Sequence, residues 1–110
     1  MALVNRSFTY KHRIKVSSDD LSLARAGKKI CTIRLGTATV AGQVIDLSDG
    51  RDSLKVQIVS VETKCFRDLN DDHARWEGFS SLDDLRKDLA KYYGRIEDAQ
   101  PVTIISFNRI

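Results

Sequence analysis

A chain of 110 residues, 42% hydrophobic and 30% charged, has enough apolar material for one core. A net charge of +3 is too small for a disordered polyelectrolyte or a dedicated nucleic-acid coat. No apolar run reaches the length of a membrane span, and the opening MALVNRSFTYKHRIKV lacks the apolar stretch and cleavage site of a secretory signal. Cys31 and Cys65 sit in apolar patterns without zinc-type spacing, which predicts buried thiols, a reducing compartment and a cytoplasmic protein.

Tyr10 to Val16 alternates imperfectly and predicts a first strand. Ser17-Ser18-Asp19-Asp20 then supplies an N-cap and early acids for a helix carrying Leu21, Leu23 and Ala24, with Gly27 as its stop. Strands are predicted at Ile30 to Leu35, Thr39 to Leu47 around Gly42, and Ser53 to Thr63. In the last of these Leu54, Val56, Ile58 and, after a bulge, Val61 face inward. Asp49-Gly50 marks a tight hairpin turn. Asn70-Asp71-Asp72 caps a short helix ended by Gly78. Ser80, three residues before Asp83, caps a longer one with Leu82, Leu85, Leu89 and Tyr92 inward and Gly94 at its end.

Pro101 opens a final strand, VTIISF, apolar enough for burial on both faces. The order β-α-β-β-β-α-α-β implies a single α+β domain over residues 1–110. Its expected architecture is a curled antiparallel sheet, a small β-barrel with flanking helices. The apolar phase of each element places Cys31, Ile33, Val56, Ile58, Leu85, Leu89, Ile104 and Phe107 in the core.

Chemistry concentrates in GKKICTIRLG, residues 27–36. On a strand, Cys31, Ile33 and Leu35 turn to the core while Thr32 and Arg34 share the other face, with Lys28 and Lys29 on the turn before them. A hydroxyl and a guanidinium beside two lysines make a basic alcove suited to a phosphate, a carboxylate or the carbonyl edge of a base. An ordinary half-solvated strand after a glycine turn would carry the same residues. Arg6, Lys11, His12, Arg13, Lys15, Arg25, Lys28, Lys29 and Arg34 all fall in the first third. Asp68, Asp71, Asp72, Glu77, Asp83, Asp84 and Asp88 come later, so the basic third would give one surface a definite sign if it folded together.

Other chemistries find little support. His12 and His73 have no partner at helical spacing, so neither a metal nor a cofactor is expected. Gly27 and Gly36 lack the spacing of a phosphate loop. Tyr92-Tyr93 and Trp76 are the residues able to stack a base. Helical phase puts Tyr92 in the core and Tyr93 half-exposed, and Trp76 adjoins Glu77, which makes it the better candidate.

Several landmarks occur in order: Gly27, Lys29, Thr32 and Arg34; a strand ending Val61-Glu62 before Phe66, Asp68 and Leu69; His73-Ala74-x-x-Glu77-Gly78-Phe79; and the terminal PVTIISF. Together they resemble the ASCH domain from about Tyr10 onward. The resemblance implies a PUA-like fold and a role with RNA or nucleotides. One small bacterial branch hydrolyses N(4)-acetylcytidine with a lysine, a threonine three residues later and a glutamate in the H-A-x-x-E setting. Matched by position, these are Lys29, Thr32 and Glu77. Ile30 and Cys31, the longer N-terminal arm and the bulky Trp76 depart from that branch and bear on the substrate.

Amide hydrolysis needs a nucleophile, a base and donors for the oxyanion. Thr32 can attack with Lys29 as base, if its neighbours and partial burial lower the ammonium pKa, and Glu77 can move protons or hold the amino edge; attack by a water through Glu77 is equally legal. Three functions are therefore expected. The first is binding of RNA or a nucleoside in a basic pocket at Lys29, Thr32, Arg34 and Glu77, aided by Lys28 and Trp76. The second is hydrolysis of N(4)-acetylcytidine by Lys29, Thr32 and Glu77. The third is ribonuclease action, for which no histidine pair is available.

Overall fold

The computed structural model describes residues Ser7 to Ile110; Arg6 and the rest of the arm before it lie outside the described residues. Seven strands and three helices follow in the order β1 (Ser7–Tyr10), β2 (Arg13–Lys15), α1 (Ser18–Arg25), β3 (Cys31–Leu35), β4 (Thr37–Val40), β5 (Val44–Ser48), β6 (Ser53–Cys65), α2 (Asp71–Glu77), α3 (Leu82–Tyr93) and β7 (Pro101–Arg109). The fold is mixed α+β. β2, β5, β6, β7 and β3 form a five-stranded sheet in that order, and β1 pairs with β4 in a separate ribbon.

The expected closed antiparallel barrel is corrected in two respects. β1 runs parallel to β4 and β2 parallel to β5, and the two sheets do not close into a barrel. The cause lies in two breaks. The single strand expected over Tyr10 to Val16 is interrupted at Lys11-His12, so that Tyr10 ends β1 in one sheet while Arg13 to Lys15 form β2 in the other. The strand expected over Thr39 to Leu47 turns at Gly42, whose φ of 99° suits a residue without a Cβ. Elsewhere the boundaries shift slightly. Ser81, not Ser80, caps α3 by accepting from the Asp84 amide, and β6 runs on to Cys65.

β7 is the spine of the fold. Successive residues of an extended strand point to opposite faces, and here both faces are covered. Ile105 and Phe107 join Ile14, Leu21, Ile45, Leu47 and Val56 in one core cluster. Val102 and Ile104 join Cys31, Ile33, Phe66, Leu85 and Leu89 in the other. The expected core residues take their places, with Ile58 half-buried against the first cluster. Two apolar assignments are corrected. Val61 remains 39% exposed, because β6 slips register between Ile58 and Ser60 and carries it to an open face. Tyr92 is 63% exposed on the rim of α3. Cys31 is buried and Cys65 half-buried, and neither is in a disulfide. No helix among the described residues is long and apolar enough to cross a membrane.

The expected hairpin turn forms between Ser48 and Ser53, with Gly50 at φ 94°. The Asp49 carboxylate organises it. One oxygen accepts from the Arg51 amide at 2.8 Å and the Asp52 amide at 2.7 Å, and the other accepts from the Ser18 hydroxyl. The Asp52 amide first, then the Arg51 amide, then Ser18 hold the carboxyl down at about 2. A lowered carboxylate contributes stability above its unfolded value, about 3.9, and loses that contribution as pH falls through about 2. A carboxyl carbon NMR titration should therefore show Asp49 titrating well below its unfolded value; a midpoint near 3.9 would mean that the turn is not held this way.

Candidate active site

Glu77 is the last residue of α2, and its position follows from how that helix begins and ends. Asn70 caps the start, accepting from the Asp72 and His73 amides, while the Asn70 amide donates to Nδ1 of His73 at 2.9 Å. Burial, then the charge of Lys64, pushes the His73 imidazole below its usual range, consistent with a neutral acceptor. At the other end Gly78 adopts a φ of 96°. A Cβ there would stand 3.3 Å from Leu23 Cδ1 and 3.5 Å from the Lys28 carbonyl. The bare glycine lets the helix end approach the α1–β3 turn, and the Ile30 amide donates to the Trp76 carbonyl at 2.7 Å.

That approach brings Glu77 against Lys29. The Lys28 and Lys29 amides both donate to the Leu23 carbonyl, which fixes the turn after α1 and aims Lys29 inward. Lys29 is 1% exposed and its Nζ donates to Glu77 Oε2; the Ile33 amide donates to Oε1 at 2.5 Å. Burial pushes the Glu77 carboxyl up, and the charge of Lys29 opposes that rise. Cys31 is raised as well, by burial and then by Glu77.

Thr32 and Arg34 share the face predicted for them. Thr32 is buried but borders the open cleft, and its Oγ1 accepts from Arg34 Nε at 3.2 Å, so its own hydrogen remains available to a ligand. The same guanidinium donates from NH2 to the Lys15 carbonyl at 2.6 Å and lies 6.0 Å from the Tyr10 ring centre. This contact spans the sheet. β2 and β3 are its two outer strands, so Arg34 ties one edge to the other where no backbone ladder does.

A cleft of about 490 Å³ opens along that seam, a size suited to a nucleoside-sized molecule. Lys29, Thr32, Arg34 and Glu77 line it together, joined by Leu89, Tyr92 and Tyr93 from α3. The alcove is not simply basic. Lys15, Lys29 and Arg34 face Asp20, Glu77 and Asp88 across the same space. Burial and then the charge of Asp20 raise the Asp88 carboxyl. Lys28 and Trp76 do not line this cleft. Lys28 is exposed, and Trp76 meets the His73 ring edge-on at 5.3 Å. His73 is spent on its cap and His12 is exposed in the β1–β2 connection. Among the described residues no group of three His, Cys, Asp or Glu side chains could hold a metal ion.

Sequence reasoning missed Lys15, Asp20 and Asp88. Asp20 carries the signal of a helix first turn, and Asp88 lies between Leu85 and Leu89 on a helix, where a charged residue signals solvent. Leu89, expected in the core, serves twice, since it packs in the second cluster and lines the cleft. Leu89→Ala should cost about 2–5 kcal/mol in a denaturant melt, and it should weaken ligand binding as well. A loss below about 1 kcal/mol would mean that α3 is not seated as described.

The sequence matches no family model and no curated protein. Solved structures are similar. An ASCH domain from Lactobacillus crispatus JV V101 superposes with a TM-score of 0.68 at 15% identity, over 96% of this chain and 80% of that one. The hypothetical protein PH0355 gives 0.67 at 19% identity, over 91% of this chain and 99% of its own. Protein EF3133 from Enterococcus faecalis V583 gives 0.61 at 16%, over 100% and 79%. The fold is thus that of an ASCH domain.

Proposed function

We propose that this ASCH-fold protein binds a pyrimidine nucleoside in the seam cleft and hydrolyses an acyl group from its exocyclic amine, as the N(4)-acetylcytidine branch it resembles does. The observation that carries this reading is the buried Lys29–Glu77 pair beside the Thr32 hydroxyl. Two ions taken from water cost more than apolar residues filling the same space. Packing gives no reason for the pair; proton transfer gives one. The balance of three cations and three carboxylates in the cleft favours a neutral ligand over a polyanion. The exposed ring of Tyr92 and the half-buried Tyr93 offer faces for a base.

The hydrogen bonds of the site support the following roles. Arg34 Nε fixes the Thr32 oxygen. Glu77, whose proton affinity burial raises, takes up the proton held in its hydrogen bond with Lys29, and the Lys29 amine then accepts the Thr32 proton. The Thr32 oxygen bonds to the acyl carbon, and Arg34 stabilises the charge that builds on the carbonyl oxygen. The carbon–nitrogen bond breaks, and the departing amine takes its proton from Lys29. Water next attacks the threonyl ester, gives its proton back along the same route, and releases the carboxylic acid with Thr32 restored.

The test is to incubate the intact protein with N(4)-acetylcytidine and follow cytidine and acetate. Equal release of both supports the reading. Binding of the nucleoside with no release over hours would make the domain a reader of bases, as an RNA-binding module is, and would overturn the hydrolytic assignment.

A further inference from the structure

Lys29 also borders a second cleft, whose other lining residues do not line the seam. Its volume is about 850 Å³, and α1, the following turn and the end of β7 form its walls. The charged side chains lining it are Arg25, Lys29 and Arg109, with Asn108 beside them and no carboxylate side chain. This contrasts with the balanced seam cleft.

The two arginines are held together by main-chain oxygens. Arg109 NH1 donates to the Arg25 carbonyl at 2.5 Å, and Arg25 NH2 donates to the Ser53 carbonyl at 3.1 Å. Arg109 also lies close against Gly27, where a Cβ would come within 3.2 Å of NH2, so the glycine leaves the guanidinium its place. Asp49 and Asp52 border the neighbouring groove beyond Arg25, yet among the described residues no carboxylate forms an ion pair with either arginine. Both arginines are exposed, and each has further N–H groups to give. Two guanidiniums held by main-chain oxygens, in no ion pair among the described residues and both bordering one cleft, are a fit for a phosphate, whose oxygens accept from both.

We infer that this second cleft binds a phosphate group through Arg25 and Arg109, in a site separate from the seam. The phosphate can belong to a mononucleotide or to the backbone of a single strand. The inference does not depend on the hydrolytic reading. It is tested by isothermal calorimetry of the intact protein with cytidine, cytidine 5′-monophosphate and a 12-nucleotide single-stranded RNA. The phosphate-bearing ligands should bind more tightly than cytidine. The double variant Arg25→Gln with Arg109→Gln should lose about tenfold or more of that affinity, and leave cytidine binding as it was.

Loss for both phosphate ligands assigns the site to a mononucleotide phosphate, and loss for the RNA alone assigns it to a strand. For the strand, removal of two contacts should flatten the salt dependence by about 1.4 log units per log unit of salt. Arg25→Lys with Arg109→Lys keeps the charge but not the guanidinium fork, and should recover part of the affinity that the glutamine pair loses. If the double glutamine variant fails to fold, Arg25→Gln alone carries the test, since that side chain bonds one main-chain carbonyl. Unchanged affinity for both phosphate ligands in a folded variant overturns the inference, as does an intact protein that binds them no better than cytidine.

Discussion

Thr32→Val is expected to lower hydrolysis of N(4)-acetylcytidine by ~10⁴-fold or more, because a set that acts together loses nearly everything with one member. Valine keeps the shape of threonine and replaces its hydroxyl with a methyl, and the position is buried. The fold should therefore persist, with the Arg34 link to Lys15 intact. Activity of Thr32→Val within tenfold of the intact protein would remove the threonine as nucleophile and leave water attack through Glu77 as the route. A burst of cytidine ahead of steady-state acetate release would mark the threonyl ester in the intact protein.

Lys29→Met should do more than stop turnover. The amine is buried against Glu77, so the variant leaves a carboxyl with the Ile33 amide as its remaining donor. Breaking one side of a buried pair costs about 3–5 kcal/mol, whereas replacing both sides with apolar residues is often neutral. Lys29→Met with Glu77→Leu should therefore recover much of the stability lost by the single change, without recovering activity. The pH dependence has a definite sign. Glu77 is raised by burial, so the folded chain holds that proton more tightly than the unfolded one. Stability from this group is present below the unfolded value, about 4.3, and falls as pH rises through the folded value. Losing Lys29 removes the principal influence opposing the rise. Urea melts should thus show the deficit of Lys29→Met shrinking as pH is lowered from 8 toward 5; a constant deficit would mean that the carboxyl is not left charged.

How much of this was legible beforehand varied with the range of the interactions. Local rules located all three helices, since Ser17, Asn70 and the Ser80-Ser81 pair announce their starts to within a residue. The two-faced burial of β7 followed from its apolar run. Breaks were harder to see. Nothing local to Lys11-His12 says that the residues on either side join different sheets, and the parallel pairings depend on partners over 25 residues away. At the site, strand alternation put Thr32 and Arg34 on one face, and the motif resemblance singled out Glu77. The carboxylates that make the cleft electrically balanced were invisible, because Asp20 and Asp88 arrive from two helices whose local patterns already account for them.

Arg34 fastens the two outer strands through the main-chain oxygen of Lys15, not through its side chain. Every residue type carries that oxygen. Position 15, which lines the cleft, can therefore change its side chain while the fastening holds. The buried trio of Lys29, Thr32 and Glu77 has no such freedom, since each is recognised by its functional group. The two banks of the seam thus differ in kind: one is held through functional groups, and the other through a main-chain atom that leaves its side chain open to change.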